Sequence, residues 1–257
     1  MPTVQTIEQA LEALGVTENT LSPEEKRALD EEGYVVFPDL IDPEWLEQLR
    51  NAFEALIEKE KDGTAFVFGR EAGVRRLSDL INKGEVWDRI WLHPKMLAAA
   101  YHVIGRDFKV NSINARDALP GEGHQKLHAD WGPRTVNEPY HGINSLVLLD
   151  DFLPNNGATR IVPGTHKLAG KPADYMEDTF APHPDEIVPT LKAGTVISYN
   201  FHMWHGGTKN ETNLKRRVLH PSYVAREFPQ QYDQREFLRK TTYDRLSPAA
   251  RYLLDVE

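Results

Sequence analysis

Two residues that can bind a metal or carry a proton stand two positions apart in the stretch KLHADW, residues 126–131. They are His128 and Asp130. On a β-strand, side chains at positions i and i+2 point to the same face, so this spacing would bring an imidazole and a carboxylate to one spot. Such a pair suits a divalent metal ion, a proton relay or a plain hydrogen bond.

A second pair of imidazoles lies in FHMWHGGTKN, residues 201–210, where His202 and His205 are three positions apart. On a regular strand these two side chains would face opposite sides, so only one of them can join His128 and Asp130. His205 precedes a glycine-rich turn and is the expected partner, whereas His202 follows a core-like run and is the alternative. Two imidazoles and one carboxylate form the facial ligand set of non-haem iron(II) sites, which leaves positions open for substrate and oxygen.

Arg216 follows His205 by eleven residues, at the start of the next predicted strand. A hairpin would bring these two positions close together. The guanidinium is planar and always charged, so it could hold a carboxylate by two parallel hydrogen bonds. A dicarboxylate that is anchored in this way and also chelates iron is 2-oxoglutarate. Arg217 is the alternative clamp, although it should face the other side of the strand.

Composition limits the classes of partner and of metal site. The 257-residue chain has a formal net charge of −9 and no cysteine. The acidity argues against nucleic acid and anionic membrane as partners, and the missing thiols leave only His, Asp and Glu as metal ligands. Because the N-terminus lacks the features of a secretory signal and no stretch approaches the ~18 apolar residues of a membrane span, we expect a cytoplasmic protein.

The first part of the chain, to about residue 105, is predicted to be helical with one early strand. The clearest helix begins after Asp42, with Pro43 at its first position, and ends at Gly63. Ser22 and Glu25 are typical of a capping box at the start of a shorter helix. The other predicted elements are a helix over residues 6–15, the strand YVVF, and helices at about 94–104 and 247–255.

From residue 108 onward the pattern changes to short apolar or alternating runs between Gly, Pro and Asn, such as FKVNSINAR, INSLVLLDDF, TVISYNF and RRVLHPSYV. This pattern is typical of an antiparallel sandwich or barrel. No repeat or composition break marks a second domain. We therefore interpret residues 1–257 as one domain, with a helical part at about 1–105, a β core at about 106–226 and a tail at 227–257.

In this order and spacing, the motifs resemble the phytanoyl-CoA dioxygenase family of iron(II)- and 2-oxoglutarate-dependent oxygenases. The matching pieces are the opening EEGYVVFPDLIDPEWLEQLR, HAD at 128–130, NNGATRIVPGTHK at 155–167, WHGGTKN at 204–210 and KRR at 215–217. The resemblance covers residues 28 to 225 and implies a double-stranded β-helix, or jelly roll. Such a fold is mainly β, with helices packed on one sheet from outside.

The resemblance also implies roles for individual residues. His128, Asp130 and His205 would bind Fe(II), and Arg216 would hold the distal carboxylate of the cosubstrate 2-oxoglutarate. Gln125, Thr159 and Asn114 are expected to contact the cosubstrate, and Arg116 and Trp131 are expected to contact the substrate. Asn114 and Arg116 could each contact either of the two molecules.

The implied reaction uses O2, releases succinate and CO2, and hydroxylates a small-molecule substrate. Halogenating relatives have a small residue in place of the carboxylate ligand, so the presence of Asp130 favours hydroxylation. An acyl-CoA substrate would favour a basic patch near the site entrance, for which FGREAGVRR at 68–76 offers Arg70, Arg75 and Arg76. Amino acids and natural products are the other substrate classes, and the sequence defines neither the substrate nor the oligomeric state.

Two other functions remain open at the level of the sequence. Jelly rolls can bind small molecules without catalysis. A zinc hydrolase could use the same His, Asp and His ligands, although Arg216 would then have no obvious task. Intact ligands together with this arginine favour the dioxygenase.

Overall fold

A computed structural model describes residues 4–60 and 71–256 of the chain. Gly63, the predicted end of the longest helix, and Arg70, in the predicted basic patch, lie outside the described residues. Among the described residues, none of the helices combines the length and the hydropathy that crossing a lipid bilayer requires.

In the part of the chain that the structure describes, five α-helices precede the long strand Phe108–Ala118, and three follow the last strand. Pro23, Pro43, Pro94 and Pro248 each open a helix, a position where the missing N–H is not needed. The bounds are α1 Ile7–Ala13, α2 Pro23–Glu31, α3 Pro43–Glu60, α4 Asp88–Trp91, α5 Pro94–Ile104, α6 Gln234–Phe237, α7 Lys240–Arg245 and α8 Pro248–Leu253.

The strands form two antiparallel sheets that face each other. Their bounds are β1 Tyr34–Phe37, β2 Val74–Leu77, β3 Phe108–Ala118, β4 Gly142–Leu148, β5 Thr159–Val162, β6 Val196–Asn200, β7 Trp204–Gly207 and β8 Arg217–Ala225. The large sheet has the order β1-β6-β4-β8-β3-β2, and the small sheet pairs β5 with β7. Single bridges at His128–His205 and Ile161–Ile187 extend the small sheet on both sides. This is the jelly roll with flanking helices that the sequence predicts.

Alternation along the strands separates two hydrophobic clusters. On β4, Ile143 and Val147 pack with the helices, whereas Leu146 and Leu148 pack between the sheets. Val218 of β8 likewise points between the sheets. Since neighbouring residues of a strand face opposite sides, the same alternation decides which polar side chains reach the space between the sheets.

The predicted hairpin between the strands of His205 and Arg216 is wrong. β7 pairs with β5, whereas β8 pairs with β3 and β4, so the connection crosses from the small sheet to the large one. Asn210 stabilises this crossover, because its Nδ2 donates to the carbonyls of Ala118 and Leu214 at 2.9 and 3.0 Å. His205 and Arg216 therefore approach the same space from opposite sheets.

The predicted capping box of α2 is confirmed. Ser22 Oγ accepts a hydrogen bond from Glu25 N at 3.2 Å, and Glu25 Oε2 accepts one from Ser22 N at 2.7 Å. We expect Ser22→Ala to lower the free energy of unfolding by about 1 kcal/mol and Ser22→Gly by only a few tenths. For a chain of this size the alanine variant should melt roughly 2–4 °C lower. Identical melting curves for wild type and Ser22→Ala would contradict the role of the cap.

Candidate active site

Three side chains that can bind a metal converge beside the small sheet. The potential ligand atoms of His128, Asp130 and His205 all lie within 4.8 Å of one another, and within residues 4–60 and 71–256 these three form the one such cluster. Asp130 Oδ1 lies 3.4 Å from His205 Nε2 and 3.9 Å from His128 Nε2. The two imidazole rings are 4.4 Å apart, measured between their centroids.

The backbone fixes the orientation of the two imidazoles. His128 and His205 exchange backbone hydrogen bonds of 2.9 Å in both directions, so they sit opposite each other. The Nδ1 of each ring lies 2.9 Å from a backbone carbonyl, that of Lys126 for His128 and that of Met203 for His205. A protonated Nδ1 that donates to the carbonyl leaves the Nε2 lone pair of each ring available to a metal.

Asp130 lies where the predicted strand gives way to a bend. Of the stretch 126–131, only His128 forms a bridge, while the backbone N–H of Asp130 donates to the carbonyl of Phe201 at 2.8 Å. His128 and Asp130 still present their side chains to one spot, as the spacing predicts. The spacing of two residues therefore brings the two side chains together as expected, although this segment forms a single β-bridge and no regular strand.

Two residues that the sequence analysis missed orient the Asp130 carboxylate. Asn144 Nδ2 and Tyr199 Oη donate to Asp130 Oδ2 at 2.9 and 3.0 Å, which leaves Oδ1 facing the imidazoles. Burial opposes ionisation of Asp130, but the charges of His205 and His128 and the hydrogen bonds from His205 and Asn144 hold the pKa of the carboxyl well below its usual range. Asn144 is one of two adjacent polar residues, with Ser145, in the otherwise apolar run INSLVLL, and this was the available signal.

We expect Tyr199→Phe to lower the affinity for a divalent metal by roughly tenfold, because partners that orient metal ligands contribute about 10- to 100-fold. Calorimetric titration with Ni(II) measures this affinity. The matched control is Tyr223→Phe, which removes an equally buried hydroxyl that donates to the carbonyl of Trp91. The control should lose stability and keep its metal affinity. Equal affinities for Tyr199→Phe and wild type would contradict the orienting role.

Arg216 is a buried cation in the same space. Its side chain is 1% exposed, its Nη2 donates to Thr159 Oγ1 at 3.0 Å, and its Nε and Nη1 are buried without a hydrogen-bond partner among the described residues. Burial and the neighbouring charge of Arg116 lower the pKa of Arg216 to about 9. A buried charge with unmade hydrogen bonds is costly, so this group fits an anionic ligand.

A cavity of about 360 Å³ between the two sheets is lined by every residue to which the resemblance gave a role in binding iron, cosubstrate or substrate. They are His128, Asp130, His205, Arg216, Gln125, Thr159, Asn114, Arg116 and Trp131. Gln125 Oε1 accepts a hydrogen bond from Gly207 N at 3.1 Å, which fixes this side chain beside β7. Trp131 stacks on Phe201, with ring centroids 6.0 Å apart, and forms an aromatic part of the cavity wall.

The predicted Asn114 belongs to a polar wall of the cavity, whose other members, His220, Ser222 and Gln231, were not predicted. Asn114 Nδ2 donates to Gln231 Oε1 at 2.8 Å and to Ser112 Oγ at 3.2 Å, while its Oδ1 is buried without a partner in the described structure. His220 Nε2 is also buried and unpartnered there, and Ser222 continues the wall along β8. These residues lie on β3, β8 and the chain after β8, and they carry no local motif.

The two alternative residues lie elsewhere. His202 is 2% exposed but does not line the cavity; its ring packs near Tyr140 and His141. Arg217 faces the helices, as the alternation predicts, and donates to Asp150 and Glu54. Its charge is therefore already paired. The structure places His205 and Arg216, and neither of the alternatives, in the shared cavity.

Comparison with known sequences gives a match over most of the chain. Residues 29–218 match the sequence model of a family described as phytanoyl-CoA dioxygenase (PhyH). The chain is 27% identical over 257 residues to the dioxygenase trt7 of Aspergillus terreus, covering 95% of this chain and 87% of trt7. It is 24% identical over 244 residues to the Fe(II)/2-oxoglutarate-dependent dioxygenase nvfF of Aspergillus novofumigatus, covering 89% of this chain and 80% of nvfF.

Solved structures share the fold. The crystal structure of HygX from Streptomyces hygroscopicus, with nickel and 2-oxoglutarate bound, superposes with a TM-score of 0.67 and 18% sequence identity. The match covers 82% of this chain and 90% of HygX. At this level of identity the likeness establishes a common jelly-roll architecture.

Proposed function

The chain belongs to the phytanoyl-CoA dioxygenase family of Fe(II)/2-oxoglutarate-dependent enzymes, and from this premise we propose that it hydroxylates a small molecule with release of succinate and CO2. One observation carries the proposal. A buried guanidinium with two unmade hydrogen bonds lies in the same cavity as a cluster of two imidazoles and a carboxylate. A metal with a chelating dicarboxylate satisfies both groups at once.

The proposed iron ligands are His128 Nε2, Asp130 Oδ1 and His205 Nε2. Their chemistry fits Fe(II), since two imidazoles and one carboxylate make the facial set of non-haem iron oxygenases. Iron with 2-oxoglutarate supplies the oxidative power that inserts one atom of O2 into a C–H bond. Asn144 and Tyr199 hold Asp130 in its ligating orientation, and the carbonyls of Lys126 and Met203 hold the imidazoles.

Arg216 and Thr159 are proposed to hold the distal carboxylate of 2-oxoglutarate. Thr159 Oγ1 accepts from Arg216 Nη2 at 3.0 Å, which fixes the guanidinium plane and leaves the threonine hydroxyl proton free to donate to the cosubstrate. Arg216 Nε and Nη1 then match a carboxylate. Gln125 and Asn114 are proposed as further polar contacts of the cosubstrate, since both line the cavity.

On the substrate side, Trp131 and Phe201 offer an aromatic surface and help to exclude water from the metal side chains. The arrangement favours a substrate without CoA, because Arg75 pairs with Glu54 and Asp117, and Arg76 pairs with Glu71. Each of these two arginines is therefore already in contact with a carboxylate of the chain. The ionised Asp130 in the ligand set supports hydroxylation over halogenation.

The experiment is to measure O2-dependent succinate formation from 2-oxoglutarate with Fe(II), first alone and then with a panel of metabolites. We expect slow turnover of 2-oxoglutarate without substrate, stimulation by the true substrate, and loss of both after metal chelation. Zn(II) should not restore turnover. No consumption of 2-oxoglutarate under any of these conditions, or consumption that survives chelation, would refute the proposed reaction.

A further inference from the structure

A second buried guanidinium lies in the cavity beside the first. Arg116 of β3 is 4% exposed, and its Nη2 donates to Glu71 Oε1 at 2.7 Å and to the carbonyl of Gly123 at 3.1 Å. Its Nη1 is buried and has no hydrogen-bond partner among the described residues. Glu71 therefore fixes one edge of this guanidinium and leaves another donor free.

The free donor of Arg116 lies beside the pair of strands β5 and β7, which carries Thr159 and Gly207. A Cβ atom added to Gly207 would lie 2.6 Å from the carbonyl oxygen of Gly123, 3.1 Å from Gln125 Oε1 and 3.2 Å from Arg116 Nη1, so the free donor lies close to Gly207. Gly207 is paired with Thr159 across β5 and β7, and Thr159 receives the hydrogen bond from Arg216. The guanidiniums of Arg116 and Arg216 thus both reach the strand pair β5 and β7. Trp131 and Phe201, which stack on each other, form a different part of the cavity wall.

Within the described residues, the charges of the two arginines are only partly balanced by carboxylates. Glu71 pairs with Arg116 and also with Arg76, whose Nη1 lies 2.9 Å from Glu71 Oε2, and Arg216 has no carboxylate partner in the described residues. Two like charges close together in a low-dielectric space repel each other. A carboxylate placed between them removes this repulsion and supplies acceptors for the unmade hydrogen bonds of both groups.

We infer that Arg116, positioned by Glu71, is a second cation for the distal carboxylate of 2-oxoglutarate, opposite Arg216. The inference rests on the proposed function, because it assumes that this cosubstrate occupies the cavity. The distal carboxylate is then held by two guanidiniums, and Gly207 keeps the approach of Arg116 free of a side chain. The open choice between cosubstrate and substrate for Arg116 is thereby resolved toward the cosubstrate.

The test compares two ligands of equal length on the Ni(II)-loaded protein by calorimetry. 2-Oxoglutarate carries the distal carboxylate, and 2-oxopentanoate has a methyl group in its place. Arg116→Met should weaken 2-oxoglutarate binding by roughly 10- to 100-fold, the range for hydrogen bonds to charged groups, and leave 2-oxopentanoate binding unchanged. An unchanged affinity for 2-oxoglutarate, as expected if Arg116 holds a substrate group, or an equal loss for both ligands, would overturn the inference.

Two further variants complete the design. Arg245→Met removes an arginine that pairs with Asp88 outside the cavity, and it should change neither affinity. Arg116→Lys keeps the charge and should show an intermediate loss of the preference for 2-oxoglutarate. If Arg116→Met does not fold, an unchanged preference in Arg116→Lys overturns the inference instead. Failure of the wild-type Ni(II) protein to bind 2-oxoglutarate would refute the proposed function itself, which is a separate outcome.

Discussion

The Arg216→Met variant is expected to unfold at a higher temperature than the wild-type protein when no ligand is present, and to lose most of the stabilisation by 2-oxoglutarate. Arg216 is a buried charge with two unmade hydrogen bonds, and unsatisfied buried donors cost about 1–3 kcal/mol. Methionine fills a similar volume without that cost. The expected rise in melting temperature is roughly 3–9 °C for a chain of this size.

The melting temperature of the wild-type protein, unlike that of Arg216→Met, should rise strongly when 2-oxoglutarate is added. With Ni(II) bound and 2-oxoglutarate at a hundred times the wild-type Kd, the free energy of unfolding of the wild-type protein should rise by about 2.7 kcal/mol. At the same concentration that of Arg216→Met should rise by less than about 0.5 kcal/mol, as expected for a Kd at least about 100-fold higher. Thermal unfolding followed by circular dichroism, with and without ligand, measures both effects in one experiment. The group that destabilises the free protein is thus the group that binds the cosubstrate.

The neighbouring arginine provides a matched control. Arg217 Nε and Nη2 donate to Asp150 at 2.8 and 2.7 Å, and Nη1 donates to Glu54 at 3.0 Å. Arg217→Met removes both guanidinium hydrogen bonds of the partly buried Asp150, which among the described residues keeps only Arg50 at 3.9 Å and the backbone N–H of residue 217 at 2.9 Å. This variant should therefore melt below wild type and still respond to 2-oxoglutarate. Destabilisation of both variants to the same extent, or a response of Arg216→Met to 2-oxoglutarate as large as that of the wild type, would contradict the role assigned to Arg216.

His205→Ala is expected to abolish tight metal binding and with it the turnover of 2-oxoglutarate. Partners that only orient a ligand already contribute about 10- to 100-fold to metal affinity, so the loss of a ligand should exceed about 100-fold. Ni(II) calorimetry measures the affinity, and succinate formation with Fe(II) measures the turnover. The melting temperature of the metal-free variant serves as a check that the protein remains folded.

Two other histidines serve as controls that distinguish the loss of a metal ligand from a general loss of structure. His202 is three positions away and buried outside the cavity, and His124 is exposed near the first ligand. His202→Ala and His124→Ala should both retain metal affinity within a few-fold of wild type. Retained binding in His205→Ala, together with lost binding in His202→Ala, would show that the other imidazole is the ligand.

The ligand cluster could be predicted from the sequence because part of its geometry is local. His128 and Asp130 need only the alternation of an extended segment, and the parity of β8 correctly separates Arg216 from Arg217. The position of His205 relative to Arg216 was inferred through a hairpin that does not exist. Their meeting depends on a crossover between sheets, and sheet membership is a long-range property that spacing along the chain does not define.

The residues that orient the ligands were harder to find for a related reason. Tyr199 and Asn144 are adjacent across β6 and β4, and they reach Asp130 only because these strands pair in this register. Each is an ordinary strand residue in its own sequence context. The polar wall of Asn114, His220 and Ser222 likewise follows from the pairing of β3 with β8. These contacts therefore depend on which strands pair and in which register, and the sequence motifs alone do not contain that information.

The most direct measurement is an anaerobic titration of the Fe(II)-loaded protein with 2-oxoglutarate, followed by visible absorption. We expect a weak charge-transfer band that saturates at one equivalent of 2-oxoglutarate in the wild-type protein and does not form in His205→Ala. A wild-type protein that binds Fe(II) but gives no band at saturating 2-oxoglutarate would contradict the proposed iron and cosubstrate site.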